Sequence, residues 1–293
     1  MSLPAALSTR LAATLGAVVE TIPIGGGDIS SAARIRLAGG DQALVKWRSG
    51  APVGLFSAEQ QGLELLRSAG ALRVPQVFAH SEAENGYPAF IVLEWLGDGS
   101  AGSGQVAKAL GRGLAALHRV TGPTFGLDHD NFIGANPQPN RSNDNWVTFF
   151  GEQRLGFQLE LAAQRGRLPG RRGQRLEKLL ARLGDWLPKS PPASLLHGDL
   201  WGGNWLVTET HEPALIDPAV YYGHREAELA FTELFGGFPQ VFYLAYNEAW
   251  PLDPAYPERK DIYNLYHLLN HLNLFGESYG SGVDSILGKY VSD

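Results

Sequence analysis

The chain contains no cysteine among its 293 residues. Disulfide bonds, thiolate metal sites and a cysteine nucleophile are therefore excluded. No apolar run is long enough to span a bilayer. Residues 1–16 lack the basic leader and the unbroken apolar stretch of a secretory signal. These absences predict a cytoplasmic protein with no membrane partner.

Basic residues are also scarce, since 24 Lys and Arg face 30 Asp and Glu for a formal net charge of -6. Nucleic-acid-binding proteins usually carry a basic face. The one dense basic run, residues 165–175, is interrupted by Gly and Pro and is typical of an exposed loop. We therefore expect no nucleic-acid partner. The length of the chain suits two domains or one large one.

The most informative stretch is residues 195–207, Leu-Leu-His-Gly-Asp-Leu-Trp-Gly-Gly-Asn-Trp-Leu-Val. Its apolar flanks predict a tight loop between two short strands. Protein kinases build their catalytic loop as H-R-D-x-x-x-x-N, where Asp takes a hydroxyl proton and Asn holds Mg²⁺. Asp199 and Asn204 keep that spacing, and Asp217 ends a later apolar segment where a second metal-binding Asp would stand. A lone His-x-Asp is common by chance, so the rest of a phosphotransferase has to be found elsewhere in the chain.

Residues 22–37 predict a strand, a glycine-rich turn and a returning strand. Such a turn lets backbone N–H groups approach phosphate oxygens, but it matches neither the Walker A nor the G-x-G-x-x-G pattern. Taken as an isolated hairpin turn, the stretch favours a structural role over phosphate binding. The phosphate-binding candidates in it are Gly25, Gly26, Gly27 and Ser30.

Lys46 lies in an apolar strand, as the lysine of the kinase V-A-I-K motif does. A strand lysine could simply point to solvent, because successive side chains alternate between faces. Residues 56–66 predict a helix that follows at the right distance to return a carboxylate. Glu59 shares the apolar face of that helix and is the expected partner of Lys46, with Glu64 second.

A composition change divides the chain at residues 97–104, Gly-Asp-Gly-Ser-Ala-Gly-Ser-Gly. Turns and strands precede it, including an edge strand over 74–80 and a buried strand over 89–96. Helical periodicity dominates after it, apart from a polar loop over 125–146. We predict two lobes, 1–96 and 97–293. The strand that enters the linker is expected to offer adenine its backbone groups at Glu94, Trp95 and Leu96.

The whole chain resembles the kinase-like phosphotransferases that include aminoglycoside and choline kinases, whose loop reads H-G-D. More narrowly, it resembles the fructosamine kinase family of ketosamine 3-kinases. The matching segments are residues 25–30, 73–77, 130–134, 137–140 with Trp146, 197–204, 216–219, 223–232 and 235–237. The resemblance implies an α+β, two-lobed protein kinase-like fold with an antiparallel β-rich N-lobe and a mostly helical C-lobe.

The resemblance also implies an ATP-dependent kinase that phosphorylates O3 of a small or protein-bound ketosamine. We expect the protein to be a monomer. Lys46, fixed by Glu59, would grip the ATP phosphates, Asn204 and Asp217 would hold Mg²⁺, and Asp199 would accept or orient the hydroxyl proton. Trp201 would pack on the sugar or its cationic amine, although a loop anchor is nearly as good an interpretation. The other substrate-side candidates are His197, Asp130, Asn131, Glu226 and Glu228. Glu226 is equally able to pair with Arg225.

Two alternatives remain open at this stage. The first is a phosphotransferase for another small hydroxyl compound, such as an aminoglycoside or choline. The second is a catalytically silent nucleotide-binding scaffold, which the presence of every charged catalytic position disfavours.

Overall fold

Five antiparallel strands form the N-terminal sheet in the computed structural model, which describes residues 3–25, 29–84, 86–97, 99 and 104–291. The sheet order is β1-β2-β3-β5-β4, so that β4 is an edge strand, as predicted. The elements are α1 (Ala5–Leu15), β1 (Val18–Ile24), β2 (Ser31–Leu37), β3 (Gln42–Arg48), α2 (Leu55–Ala69), β4 (Val77–Ser81) and β5 (Ala89–Glu94).

The two faces of this sheet are covered by different helices. Leu7 and Leu11 of α1 are buried against one face, where full burial of each side chain contributes about 1.5–3 kcal/mol. Apolar spacing at Leu7, Leu11, Leu15 and Val18 predicts a helix over residues 3–19. In the structure α1 is shorter, because Gly16 takes a φ of 101° and Val18 already belongs to β1. The opposite face packs on α2, so that β5 is buried on both sides.

The helix α2 also contacts the C-terminal part of the chain. A Cβ at Gly62 would lie 3.3 Å from side-chain atoms of Pro218 and Val220, so glycine permits this close approach. The segment after α2 pairs with the C-terminal part too, since Leu215 N donates to Arg73 O at 2.9 Å. These contacts fix β3 and its lysine relative to the loop that contains Asp199.

The C-terminal part is mostly helical, as predicted, with the long and largely buried α9 at its centre. Its helices are α3 (Gly104–His118), α4 (Trp146–Phe149), a π-helical turn (Phe150–Gly156), α5 (Phe157–Gln164), α6 (Arg172–Leu180), α7 (Arg225–Leu234), α8 (Gln240–Ala249), α9 (Tyr256–Phe275) and α10 (Gly280–Tyr290), with 3₁₀ turns at Leu183–Asp185 and Glu277–Tyr279. Its paired strands are β6 (Asn131–Ile133) with β7 (Asn136–Gln138), β8 (Ser194–Leu196) with β11 (Tyr221–Gly223), and β9 (Trp205–Val207) with β10 (Pro213–Leu215).

Two expectations for this part need correction. The polar stretch over 125–146 is not all loop, because β6 and β7 form a hairpin whose Asn and Gln side chains are buried and hydrogen-bonded. The apolar spacing over residues 146–164 predicts one helix, but the π turn interrupts it. This turn directs Arg154 inward, where it donates to Pro139 O at 2.6 Å and Asn140 Oδ1 at 2.7 Å.

His267 and His271 stand four residues apart, as zinc ligands do in H-E-x-x-H, but no Glu accompanies them and the leucines around them predict packing instead. In the structure both rings pack against aromatic side chains. The His267 ring stacks on Phe231 with centroids 3.5 Å apart, and His271 contacts Phe235 at 4.9 Å. No helix in the described part of the chain is both long and apolar enough to cross a membrane.

Candidate active site

The predicted catalytic loop runs from β8 to β9, as the sequence indicated. Gly198 adopts a φ of 85°, and a Cβ at this position would overlap the carbonyl oxygen of Ala219. Only glycine fits both conditions, which explains why the arginine of the kinase motif is replaced here. The loop is also tied to the segment between β10 and β11, because Ala219 N donates to His197 O at 2.8 Å.

His197 is completely buried beneath the loop. Its Nε2–H donates to Ile216 O at 2.8 Å, and its Nδ1 accepts the Asp199 N–H at 3.3 Å. Burial lowers the pKa of His197, which favours the neutral ring that these two bonds require. The side chain therefore joins the Asp199 loop to the segment before Asp217, a role that favours architecture over the substrate contact we expected.

Asp199 and Asn204 contact each other across the loop. Asn204 Nδ2 donates to Asp199 O at 2.7 Å and to Asp199 Oδ2 at 3.0 Å. Burial, followed by the nearby Asp217 carboxylate, raises the pKa of Asp199 well above its ordinary value. A carboxylate with a raised pKa is a stronger proton acceptor, so the geometry suits Asp199 to receive a hydroxyl proton.

Lys46 joins the N-terminal sheet to the C-terminal part of the chain. Its Nζ lies 2.6 Å from Glu59 Oε1 and 2.5 Å from Asp217 Oδ1. Burial alone would lower the pKa of Lys46, but the adjacent Asp217 and Glu59 carboxylates raise it above its ordinary value, so the ammonium stays charged. The expected Lys46–Glu59 pair is thus present, whereas Glu64 accepts a hydrogen bond from Gln60 instead.

Asp217 has an uncommon backbone for a non-glycine residue, with a φ of 56°. Such conformations cost of order 1–3 kcal/mol and cluster at functional sites. Its side chain is 42% exposed, so the carboxylate meets Lys46 and is also open to the cleft.

Asn204 and Asp217 offer the oxygen donors that Mg²⁺ prefers. Asn204 Nδ2 is held by Asp199, which directs the amide oxygen of Asn204 away from that carboxylate. Within the described residues, no three His, Asp or Glu side chains cluster closely enough to hold a metal ion alone. Two protein ligands supplemented by phosphate oxygens and water are the usual Mg²⁺ arrangement in phosphoryl-transfer enzymes, and the residues present fit it.

Glu228 is a buried residue that the sequence did not identify correctly, since its only expected role was a weak substrate contact. From α7 its carboxylate accepts the N–H groups of His197 at 3.1 Å and Gly198 at 2.6 Å, and His118 Nε2–H at 2.9 Å. Burial alone would raise the pKa of Glu228, but these hydrogen bonds, chiefly that from His118, lower it. An ionised Glu228 therefore anchors the backbone of His197 and Gly198, the two residues that precede Asp199.

The substrate-side candidates fall into two groups. Trp201 is 41% exposed and Asp130 is also exposed, with Asp130 Oδ1 accepting Asn140 N at 2.7 Å. Asn131 is buried and donates to Val220 O at 2.8 Å. Glu226 is buried and pairs with Arg259 at 2.5 and 2.7 Å, rather than with Arg225, which was the alternative to a substrate contact. These internal contacts favour structural roles for the buried pair, Asn131 and Glu226.

The adenine-side candidates lie at the end of β5. The Glu94 carboxylate is occupied by Arg73 and by Gln76 N at 3.1 Å. Leu96 O accepts Glu209 N at 3.2 Å, and Trp95 packs under the Arg34 guanidinium at 5.3 Å. In the glycine-rich turn, Gly25 directly follows β1 and Ser30 directly precedes β2. Gly26, Gly27 and Asp28 lie outside the described residues.

Comparison with known proteins gives one consistent family. The fructosamine kinase family model matches residues 4–293. The probable ketoamine kinase of Synechocystis is 45% identical over 80% of this chain and 77% of its own length. The chloroplastic protein-ribulosamine 3-kinase of Arabidopsis thaliana is 37% identical over 92% of this chain and 81% of its own length.

Solved structures show the same fold. A structure assigned to a fructosamine-3-kinase from Thermobifida fusca is 32% identical, covers 96% of this chain and 97% of its own, and superposes with a TM-score of 0.86. A thermostable mutant of an aminoglycoside phosphotransferase, bound to AMP-PNP and hygromycin B, gives a TM-score of 0.68 at 16% identity over 98% of this chain and all of its own. The second likeness concerns the fold alone.

Proposed function

The chain belongs to the fructosamine kinase family, and from that premise we propose that it transfers the γ-phosphoryl group of ATP to O3 of a ketosamine. The observation that carries the proposal is the joint contact of Lys46 with Glu59 and Asp217 beside the Asp199–Asn204 loop. This arrangement brings a cation, two candidate metal ligands and a proton acceptor to one cleft. Phosphoryl transfer depends on such positioning and charge neutralisation more than on covalent chemistry by the protein.

The N-lobe, residues 1–96, would bind the nucleotide. Lys46 is held at a fixed position by two carboxylates, so its ammonium can bind ATP phosphate oxygens without a large loss of side-chain entropy. Adenine would contact the backbone at Glu94, Trp95 and Leu96, and the hairpin around Gly25 and Ser30 would cover the phosphates.

Asn204 and Asp217 would hold Mg²⁺ in the C-lobe, residues 97–293. When bound, Mg²⁺ would neutralise negative charge on the phosphate oxygens. Asn204 is restrained by its bonds to Asp199, and Asp217 by its bond to Lys46. Both ligands are therefore positioned before the nucleotide arrives.

Asp199 would receive the proton of the attacking hydroxyl. The new bond joins the substrate O3 to the γ-phosphorus, the bond between the γ-phosphorus and the β–γ bridging oxygen breaks, and ADP leaves with that electron pair. Because burial and Asp217 raise the pKa of Asp199, activity should fall as pH drops through a range above that of an ordinary aspartate. Trp201, which is exposed two residues beyond Asp199, would pack on the sugar or its cationic amine.

A substrate panel tests the proposal. ATP consumption with a fructosamine and a ribulosamine is compared with an aminoglycoside and choline, and the phosphate position is read by NMR. We expect turnover only with the ketosamines and a 3-phosphate product; preferential turnover of an aminoglycoside or choline would refute the proposed substrate class. The Asp199→Asn variant should remain folded and lose at least a hundredfold in turnover, and near-wild-type turnover would exclude Asp199 as the proton acceptor.

A further inference from the structure

A second cleft opens on the C-lobe between the segment after β7 and the helical stretch 152–160. Its volume is about 320 Å³. Exposed carboxylates of Asp130, Glu152 and Glu160 stand at its rim, and Gln153 and Phe157 line it between them. The π turn shapes this wall, since it places Gln153 in the cleft while Arg154 points inward.

The charge of this cleft is unbalanced. Three carboxylates line it against one cation, Arg141. Within the described part of the chain, the side chains of Glu152, Glu160 and Arg141 make no ion pair or hydrogen bond. Asp130 uses Oδ1 for the Asn140 N–H. At least two negative charges are therefore free to meet a ligand.

Gln153 gives an independent indication of what the cleft binds. The residue is only 9% exposed, and its Nε2 donates to Arg141 O at 2.5 Å. Its Oε1 has no hydrogen-bond partner, a condition that costs about 1–3 kcal/mol for a buried acceptor. Gln153 lines the cleft, and rotation of its side chain would bring this unpaired oxygen to a donor bound there. The half-buried ring of Phe157 beside it can contact aliphatic carbons or a cation.

The cleft lies within reach of the reacting centre. Asn131, which follows Asp130, donates to Val220 O at 2.8 Å, and Val220 is three residues beyond Asp217. Three extended residues span at most about 11 Å, so the backbone of Asp130 lies within roughly 20 Å of that of Asp217. About six residues of extended polypeptide cover this distance.

We propose that this cleft binds a lysine or arginine side chain of the polypeptide that carries the ketosamine. The ligand matches these groups: its cation meets Glu152 and Glu160, and its methylenes pack on Phe157. Its N–H groups meet Gln153 Oε1 once the Gln153 side chain rotates toward the cleft. The inference rests on the proposed function, because it adds a recognition site for protein-bound substrates to the same reaction.

Kinetics with two peptides test this role. One peptide carries a single fructosyl-lysine with lysines four to six residues away, and the other has glutamines in their place. In the wild type, KM should be lower for the lysine peptide. E152Q and E160Q should each raise that KM about two- to fivefold, and together more, as expected for exposed ion pairs. KM for the glutamine peptide and for a small fructosamine should not change.

The matched control is E177Q, which removes the same charge from an exposed position on α6 outside the cleft. If E177Q raises KM as much as E160Q, or if the cleft variants affect both peptides equally, the site assignment is wrong.

A binding measurement separates this proposal from the reaction itself. A fluorescent, non-glycated lysine peptide should bind the wild type at low salt and bind the E152Q/E160Q variant several-fold more weakly. If the wild type phosphorylates no ketosamine but the binding difference holds, the proposed reaction fails and the cationic cleft stands. If the peptide binds both proteins equally, the cleft is refuted whatever the kinase activity.

Discussion

Glu228 provides the sharpest test of how the catalytic loop is held. Its carboxylate lies in α7, away from the reacting groups, yet it accepts hydrogen bonds from the His197 and Gly198 N–H groups and from His118. In Glu228→Gln, one carboxylate oxygen becomes an NH₂ group, which would face a donor instead of accepting from it. We expect the loop to shift and Asp199 to lose its position.

The magnitude follows from the number of bonds at risk. Hydrogen bonds to a charged group contribute about 1.5–3 kcal/mol each. Loss of one or two of the three gives about 1.5–6 kcal/mol of destabilisation, a large share of the total for a typical protein. A displacement of about 1 Å at a reacting group can cost about a hundredfold in rate. We therefore expect kcat to fall about a hundredfold while KM for ATP changes little, because Lys46 does not contact Glu228.

Glu226→Gln is the matched control. Glu226 lies in the same helix and is equally buried, but it pairs with Arg259 and makes no contact with the loop. Loss of this buried pair should destabilise by about 3–5 kcal/mol and leave kcat near wild type. Urea unfolding and steady-state kinetics below the unfolding temperature of both variants measure the two effects. Equal losses of kcat, or wild-type kcat in Glu228→Gln, would refute an anchoring role for Glu228.

Three further predictions concern the nucleotide, the substrate and pH. Lys46→Ala should raise KM for ATP about tenfold or more, and an unchanged ATP dependence in initial-rate measurements would remove Lys46 from the nucleotide site. Trp201→Ala should raise KM for a ketosamine about two- to thirtyfold, with Trp201→Phe between them; a loop anchor would instead lower the unfolding temperature without this KM series. Burial, with Arg259 and Arg225, holds the pKa of His224 well below its ordinary value. Below about pH 6.5 the unfolded chain therefore binds a proton at this histidine that the folded chain does not. The free energy of unfolding should then fall as pH drops, by up to about 1.4 kcal/mol per pH unit. Compared with wild type, His224→Gln should lose less stability between pH 7 and 5 in thermal unfolding, and parallel curves would contradict this assignment.

Much of the fold could be predicted because local pattern and tertiary packing agree in the N-lobe. The helical face of α2 placed Glu59 toward the sheet, and β3 placed Lys46 on the face that α2 covers. The prediction was weaker where one backbone angle decides the outcome. Gly16 ends α1 earlier than its apolar spacing suggests, and the π turn has no distinct sequence pattern, so the 3.6-residue period extends across both.

Part of the site could not be predicted, because the sequence pattern gives residue types in order but not which side chains meet inside the fold. Glu226 and Glu228 are two residues apart on α7 and equally acidic, yet one pairs with Arg259 and the other with the catalytic loop. Their partners come from α9 and from the loop after β8, which are distant in sequence. In the sequence, the only signal was two acidic residues beside an aromatic-rich helical stretch, and this signal does not distinguish the two roles.

The catalytic motif therefore combines two kinds of constraint on the same few residues. Asp199, Asn204 and the exposed Trp201 point toward chemistry or substrate, whereas His197 is buried and Gly198 is required by the close approach of Ala219. A mutation of His197 or Gly198 should then reduce stability and activity together, because each ties the loop to the segment that carries Asp217. A mutation of Asp199 should reduce activity alone or even raise stability, because burial and the Asp217 carboxylate disfavour its ionised form. The motif is thus defined as much by the need to hold an unfavourable carboxylate in place as by the reaction that carboxylate serves.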